Sequence, residues 1–218
     1  MMTYKAVLFD LDGTLLDSIE DMGDSLNRVL VENGFPTHNR DAYCRFVGDG
    51  ATNLISRALP ESKRTDTIIR SCLDAFLEDY DKNWNVKTKL YDGVPELLDA
   101  LTSRGLKISV LSNKPHRYTL KCMEGFLSDW NFDVVFGQRD DVPRKPDPAG
   151  ALEIAEQLNI APSDFLYLGD TETDLKTSFA AGMFPVGVLW GFRSAEELRK
   201  NGATVLINRP LEALALLD

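Results

Sequence analysis

Asp10 and Asp12 stand two residues apart in the run Phe9-Asp10-Leu11-Asp12-Gly13-Thr14-Leu15. Two carboxylates held this close repel each other unless a proton or a cation lies between them. The pair therefore calls for a hard metal ion, a carboxylate nucleophile, or both. Three further polar clusters have matching chemistry: Ser112-Asn113-Lys114, Lys145-Pro146 and Gly169-Asp170-Thr171-Glu172-Thr173-Asp174. Asp10, Asp12 and Asp170 are oxygen ligands of the kind Mg²⁺ takes, together with waters and a substrate phosphate. The Ser112 hydroxyl and Asn113 amide can hydrogen-bond nonbridging phosphate oxygens. Lys145 can offset the charge of a transferring phosphoryl group. One aspartate can attack phosphorus while its neighbour protonates the leaving oxygen and then activates water. Each cluster alone has a plainer use. Ser112 suits a helix N-cap, Lys145 a solvated surface, and Asp170 and Asp174 a cap and first turn that complement a helix dipole. Lys114 and Arg117 either add positive potential near Ser112 or lie on a helix surface.

These residues need elements to bring them together. Ala6-Val7-Leu8-Phe9 is a short apolar run, the pattern of a strand buried on both faces of a parallel sheet. Gly13 lets the chain turn sharply after it. Met22, Leu26, Val29 and Leu30 then recur at helical spacing, and Asn33-Gly34 with Pro36 ends that helix. Helical spacing continues over 41–83, and no strand is expected between about 15 and 90. Beyond Asp92-Gly93-Val94-Pro95, strands predicted at 106–111, 134–136, 165–168, 185–189 and 205–207 alternate with helices, and a helix closes the chain. This rhythm predicts an α/β fold, a doubly wound parallel (Rossmann-like) sheet with an inserted α-helical cap. The core is expected over 1–16 and 91–218 and the cap over 17–90. Ligands of such sheets bind at strand carboxyl ends. The four polar clusters fall at or after successive predicted strand ends, which the plainer uses do not explain together.

Composition narrows the partners. The 218 residues are 44% hydrophobic and 27% charged, ordinary for a globular chain. A net charge of −10 without a basic cluster argues against nucleic acid, though not against a small anion met by local cations. Three scattered cysteines (Cys44, Cys72, Cys122) contain no C-x-x-C, so neither a zinc site nor a disulfide framework is expected, and a cytoplasmic setting fits. No signal peptide is evident and no apolar run approaches the roughly 20 residues that span a bilayer. His38 and His116 have no partner at metal spacing and read as surface residues. The three tryptophans read as packing.

The motifs together resemble the haloacid dehalogenase superfamily of phosphatases and phosphomutases. Asp10-Leu11-Asp12-Gly13-Thr14 matches its D-x-D-G-T motif, Ser112 its second motif, Lys145 its third, and Gly169-Asp170 with Asp174 its fourth. The resemblance covers essentially the whole chain. It implies Asp10 as nucleophile forming an aspartyl-phosphate, and Asp12 as acid and base that also gives its main-chain carbonyl to Mg²⁺. It implies phosphate binding by Thr14, Ser112, Asn113 and Lys145, and metal binding by Asp170 with support from Asp174. The dehalogenases of the superfamily lack the second aspartate, so Asp12 favours phosphate chemistry. Arg45-Phe46-Val47-Gly48-Asp49-Gly50 resembles the Val-Gly-x-Gly cap segment of phosphoglycolate phosphatases. Gly48 and Gly50 would then approach the core closely, and Arg45 or Arg57 would face a substrate carboxylate. Gly191-Phe192-Arg193-Ser194 resembles the loop beside the active site in the same branch. The substrate implied is a small phosphorylated metabolite, first 2-phosphoglycolate, for a monomer or homodimer away from membranes. Pyrophosphatase, nucleotide or sugar phosphatase activities are alternatives, with a phosphomutase such as β-phosphoglucomutase further off. A phospho-acceptor signalling domain is disfavoured, since such domains are shorter and lack the helical cap.

Overall fold

Residues 4–217 are described by a computed structural model. The first strand, β1 (Ala6–Phe9), consists of four apolar residues, all buried. A two-residue strand, β2 (Leu16–Asp17), follows it. Four helices come next: α1 (Ile19–Glu32), α2 (Arg40–Phe46), α3 (Ala51–Ala58) and α4 (Asp66–Asn83). A second two-residue strand, β3 (Lys89–Leu90), ends this block. Helices and strands then alternate. They are α5 (Val94–Ser103), β4 (Lys107–Pro115), α6 (His116–Phe126), β5 (Val134–Gln138), α7 (Ala149–Leu158), β6 (Phe165–Gly169), α8 (Glu172–Ala181), β7 (Phe184–Val188), α9 (Ala195–Lys200) and β8 (Leu206–Ile207). The terminal helix expected after β8 is a 3₁₀ helix, Pro210–Leu216.

The main sheet runs β5-β4-β1-β6-β7-β8, every neighbouring pair parallel. Chain order reverses direction at β1, the place where open α/β sheets form their ligand crevice. Phe9 lies beside Val110 of β4 and Leu168 of β6, so Asp10, Ser112 and Asp170 emerge from one edge of the sheet. Both faces of β1 are covered. Val7 and Phe9 pack with Leu97, Leu98 and Leu101 of α5, while Ala6 and Leu8 pack with Ala151 and Ile154 of α7. This accounts for its unbroken apolar run.

The helical block has its own apolar cluster. Ile19, Met22, Leu26, Val29 and Leu30 of α1 meet Leu54 and Ile55 of α3 and Phe76 and Tyr80 of α4. The expectation of no strand between about 15 and 90 is corrected in one respect. β2 and β3 pair antiparallel, Leu16 with Leu90 and Asp17 with Lys89, where the chain enters and leaves the block. Two residues are too few to show a strand period, which is why the pattern is silent there. Among the described residues, no helix is long and apolar enough to cross a membrane.

Candidate active site

β1 delivers Asp10 to the carboxyl edge of the sheet, where its backbone N–H still donates to Leu168 O at 3.0 Å. β6 delivers Asp170, and the first turn of α8 delivers Asp174. One carboxylate oxygen from each of Asp10, Asp170 and Asp174 lies within 4.8 Å of the others, and all three residues are buried. Lys145 enters from the loop before α7. Its ammonium donates to Asp10 Oδ1 at 2.7 Å, to Asp174 Oδ1 at 2.7 Å and to Leu111 O at 2.8 Å. An ammonium has three protons, so Lys145 is fully committed. Burial works against its charge, but Asp10 and Asp174 outweigh that and hold it well above the ordinary lysine value.

Three carboxylates share one lysine, and the shortage of positive charge is visible in their acidity. Asp10 is raised to about 7, chiefly by burial; Lys145 opposes the rise, and Asp174 and Asp12 add to it. Burial, followed by Asp10 and Asp174, also pushes Asp170 well up. An all-oxygen, buried, charge-deficient cluster is what a hard divalent cation of the Mg²⁺ type fits. The cluster is held by fixed donors. Thr14 Oγ1 donates to Asp170 Oδ1 at 3.2 Å, and the Phe192 N–H donates to Asp170 Oδ2 at 2.8 Å. The Thr171 N–H and hydroxyl donate to Asp174 Oδ2 at 3.1 and 2.7 Å, closing a capping box on α8. Gly13, at φ +97°, makes the turn and has room for no side chain, since a Cβ would strike the Asp170 carboxylate. Trp190 pins the same turn, its Nε1 donating to Thr14 O at 2.9 Å.

The Asp12 side chain lies outside this triad. Lys114 Nζ donates to its two oxygens at 3.0 and 3.1 Å, and Ser18 Oγ donates to Oδ1 at 2.5 Å. Any contact of Asp12 with a cation in the triad therefore falls to its main-chain carbonyl. Ser112 and Asn113 lie within β4, which continues past Leu111 to Pro115. Ser112 Oγ accepts from the Lys114 N–H at 3.2 Å. The Asn113 amide group donates to Gly48 O and to Lys145 O, both at 3.0 Å, while its oxygen accepts from the Lys145 N–H at 2.9 Å. Asn113 thus fixes the backbone of Lys145 and touches the helical block.

The segment between α2 and α3 faces this edge. Gly48 and Gly50, at φ +119° and +88°, line a cavity with Asp10, Asp12, Ser112 and Lys145. The cavity encloses about 70 Å³, several times what one water needs. Its remaining wall is largely apolar and comes from Met22, Leu54, Phe76, Tyr80 and Phe192. Arg45 is exposed and does not line it. Arg57 is committed to Phe46 O and Asp49. Arg193, from the loop after β7, grips the segment instead. It is 8% exposed and donates to Cys44 O, to Val47 O at 2.9 Å and to Glu172 at 3.2 Å. Arg193, Lys114 and Tyr80 have no sequence signal of comparable strength, because each acts on a partner far along the chain. Both histidines are half-buried and bonded rather than free on the surface. His38 Nε2 is 2.7 Å from Ala58 O, and His116 Nδ1 accepts from the Gly137 N–H at 3.0 Å.

The family model for haloacid dehalogenase-like hydrolases matches residues 7–188. The chain belongs to that family. Among curated relatives of this haloacid dehalogenase-like hydrolase, the phosphoglycolate phosphatase of Colwellia psychrerythraea is 32% identical over 91% of this chain and 90% of its own. That of Rhodospirillum rubrum is 35% identical over 94% of this chain and 87% of its own. A crystal structure from Lactobacillus delbrueckii subsp. bulgaricus superimposes with a TM-score of 0.94 at 28% identity, covering 99% of both chains. The haloacid dehalogenase-like hydrolase described here is an enzyme of the phosphatase type.

Proposed function

We propose that this phosphatase is a Mg²⁺-dependent phosphomonoester hydrolase that cleaves 2-phosphoglycolate through an aspartyl-phosphate. The observation that carries the reading is the convergence of Asp10, Asp12, Ser112 and Lys145 on one small cavity at the sheet's carboxyl edge. A carboxylate oxygen of Asp10 attacks phosphorus, and the bond from phosphorus to the leaving oxygen breaks. Asp12 gives that oxygen its proton. Water then attacks the aspartyl-phosphate, Asp12 takes a proton from it, and Asp10 and phosphate are released. Lys145 favours the anionic form of Asp10 for the first step, against the effect of burial. Ser112 and Thr14 steady the phosphate region, with Asn113 holding Lys145 in place. Asp10, Asp170 and the Asp12 carbonyl would hold Mg²⁺, with Asp174 in support; bound there, the ion supplies positive charge to a nonbridging phosphate oxygen.

Residues 17–90 act in this reading as a cap on a core formed by 1–16 and 91–218. The apolar cluster of the helical block, which Tyr118 of α6 joins from the core side, supports that division. The relatives named phosphoglycolate phosphatase support the substrate, as does a cavity of this size. A small metabolite of this kind suits a cytoplasmic enzyme, monomeric or homodimeric.

Asp10→Asn tests the reading. Phosphate release from 2-phosphoglycolate should fall by about 10⁴-fold or more, as when a nucleophile is removed, with an unchanged circular dichroism spectrum. Turnover near the parent rate would remove Asp10 from the nucleophile role.

A further inference from the structure

The cavity contains two polar groups that the phosphoryl chemistry leaves over, the Lys114 ammonium and the Tyr80 hydroxyl. Its other polar groups are spoken for. Lys145 has three acceptors for three protons. The Asn113 amide is bound to two carbonyls. The Tyr118 hydroxyl accepts from Arg117 at 2.8 Å and donates to Leu77 O at 2.7 Å. Lys114 also has three acceptors, but two are the oxygens of the single Asp12 carboxylate and the third is a hydroxyl that keeps its own proton. Its side chain is 4% exposed, and its Nζ meets Asp12 and, at 2.8 Å, the Tyr80 hydroxyl. An ammonium only donates, and a phenol that has accepted one bond still has its own proton to give. The free proton here is therefore that of Tyr80, on α4 of the helical block, and Lys114, on β4 of the core, sets its positive charge directly beside it.

Their position gives this cation and this hydroxyl donor a meaning. Lys114 is on the Asp12 side of the cavity, where the leaving oxygen is protonated, whereas Lys145 belongs to Asp10. A leaving group with a negative charge of its own must approach the Asp12 carboxylate. It needs a cation there, since the apolar wall of Met22, Leu54, Phe76 and Phe192 screens charge poorly. Arg45 and Arg57, the basic residues of the segment facing the core, do not supply it: neither lines the cavity.

We infer that Lys114 and Tyr80 form an anion subsite that reads a carboxylate on the leaving group. The inference rests on the phosphatase reading above and adds to it the residues that select the substrate class. Because the cation belongs to the core and the hydroxyl donor to the helical block, a bound carboxylate bridges the two and favours their closed arrangement.

The test compares 2-phosphoglycolate with its neutral counterpart, 2-hydroxyethyl phosphate, in the presence of Mg²⁺, by steady-state phosphate release. The parent enzyme should prefer the carboxylate by about 10- to 100-fold in kcat/KM, the usual worth of a buried charge-assisted contact. In Lys114→Met that preference should collapse, with the loss carried mainly by KM for 2-phosphoglycolate. Lys114→Arg should restore part of it, and Tyr80→Phe should reduce it partway. If Lys114→Met fails to fold, Tyr80→Phe, which removes only a hydroxyl, makes the same comparison. Equal proportional losses on both substrates would overturn the subsite and leave Lys114 as a partner of Asp12 alone. Hydrolysis of both substrates by the parent without preference also overturns it, while the phosphatase reading survives. Hydrolysis of neither defeats that reading, and the subsite with it.

Discussion

Burial pushes the Asp10 carboxyl up to about 7, with Lys145 opposing and Asp174 adding to the rise. An unfolded aspartate titrates near 4. Between those values the folded, metal-free protein binds a proton that the unfolded chain does not. The stability contributed by Asp10 is therefore full below about pH 4 and is lost as pH rises through about 7. Asp170 is shifted in the same direction, by burial and then by Asp10 and Asp174. The denaturant midpoint of EDTA-treated protein should accordingly fall between about pH 4 and 7. Mg²⁺ should restore it at the upper end, with release of protons. A midpoint flat with pH and indifferent to Mg²⁺ would contradict this. Asp10 and Asp12 were legible in the sequence because they follow directly on an apolar run. Lys114 was not legible to the same degree: its contact is with Asp12, 102 positions away, and its neighbours read equally well as a helix surface. Tyr80 sits on the apolar face of α4 and looks like any packing residue. Arg45 was a candidate substrate reader because its segment resembles the cap segment of phosphoglycolate phosphatases. Its exposure and the reach of Arg193 to the same segment are tertiary facts that no local pattern contains.

Among the elements, α8 shows why two readings of one motif need not compete. Asp174 was open to a capping role and a site role, and the structure places it both in a capping box and in the buried carboxylate triad. Its Oδ2 accepts from Thr171 in the capping box, while Oδ1 holds Lys145. The cap that starts the helix thereby also aims the carboxylate. Thr171→Ala should cost about 1 kcal/mol of stability, as lost N-caps do. It should also raise the Mg²⁺ concentration needed for half-maximal activity, because the Asp174 carboxylate loses the hydroxyl donor that helps aim it and keeps only the main-chain one. Denaturant melts and a metal titration measure the two effects; an unaltered metal requirement would make Thr171 a cap and nothing more. The alternating elements after residue 91 were legible because each strand is a bounded apolar run of several residues. The continuation of β4 through Ser112, Asn113 and Lys114 was hidden, since polar side chains in a strand's last turns look like the start of a loop.

At the scale of the whole molecule, core side chains hold the segment between α2 and α3 in place. Arg193 binds Cys44 O and Val47 O, Asn113 binds Gly48 O, Thr173 meets Asp49 Oδ1 at 2.9 Å, and Arg144 donates to Asp49 O at 3.1 Å. Arg193→Gln removes the most buried of the arginine contacts. Amide exchange over residues 47–51 should speed up, β1 should stay protected, and KM should rise about tenfold, the effect of losing one well-placed contact. Exchange that accelerates equally in β1 would show a loss of overall stability instead. The division into a sheet and a helical block was legible from the long helical stretch after the first strand, but the closeness of its two ends was not. Leu16 pairs with Leu90 and Asp17 with Lys89, so the chain departs and returns through a single narrow ribbon. The sheet is consequently unaware of how much chain lies beyond that ribbon. Under the proposed reading, a longer, shorter or differently folded block that kept the contacts of the Gly48 segment could be exchanged there while the strands that carry the carboxylate triad stay as they are.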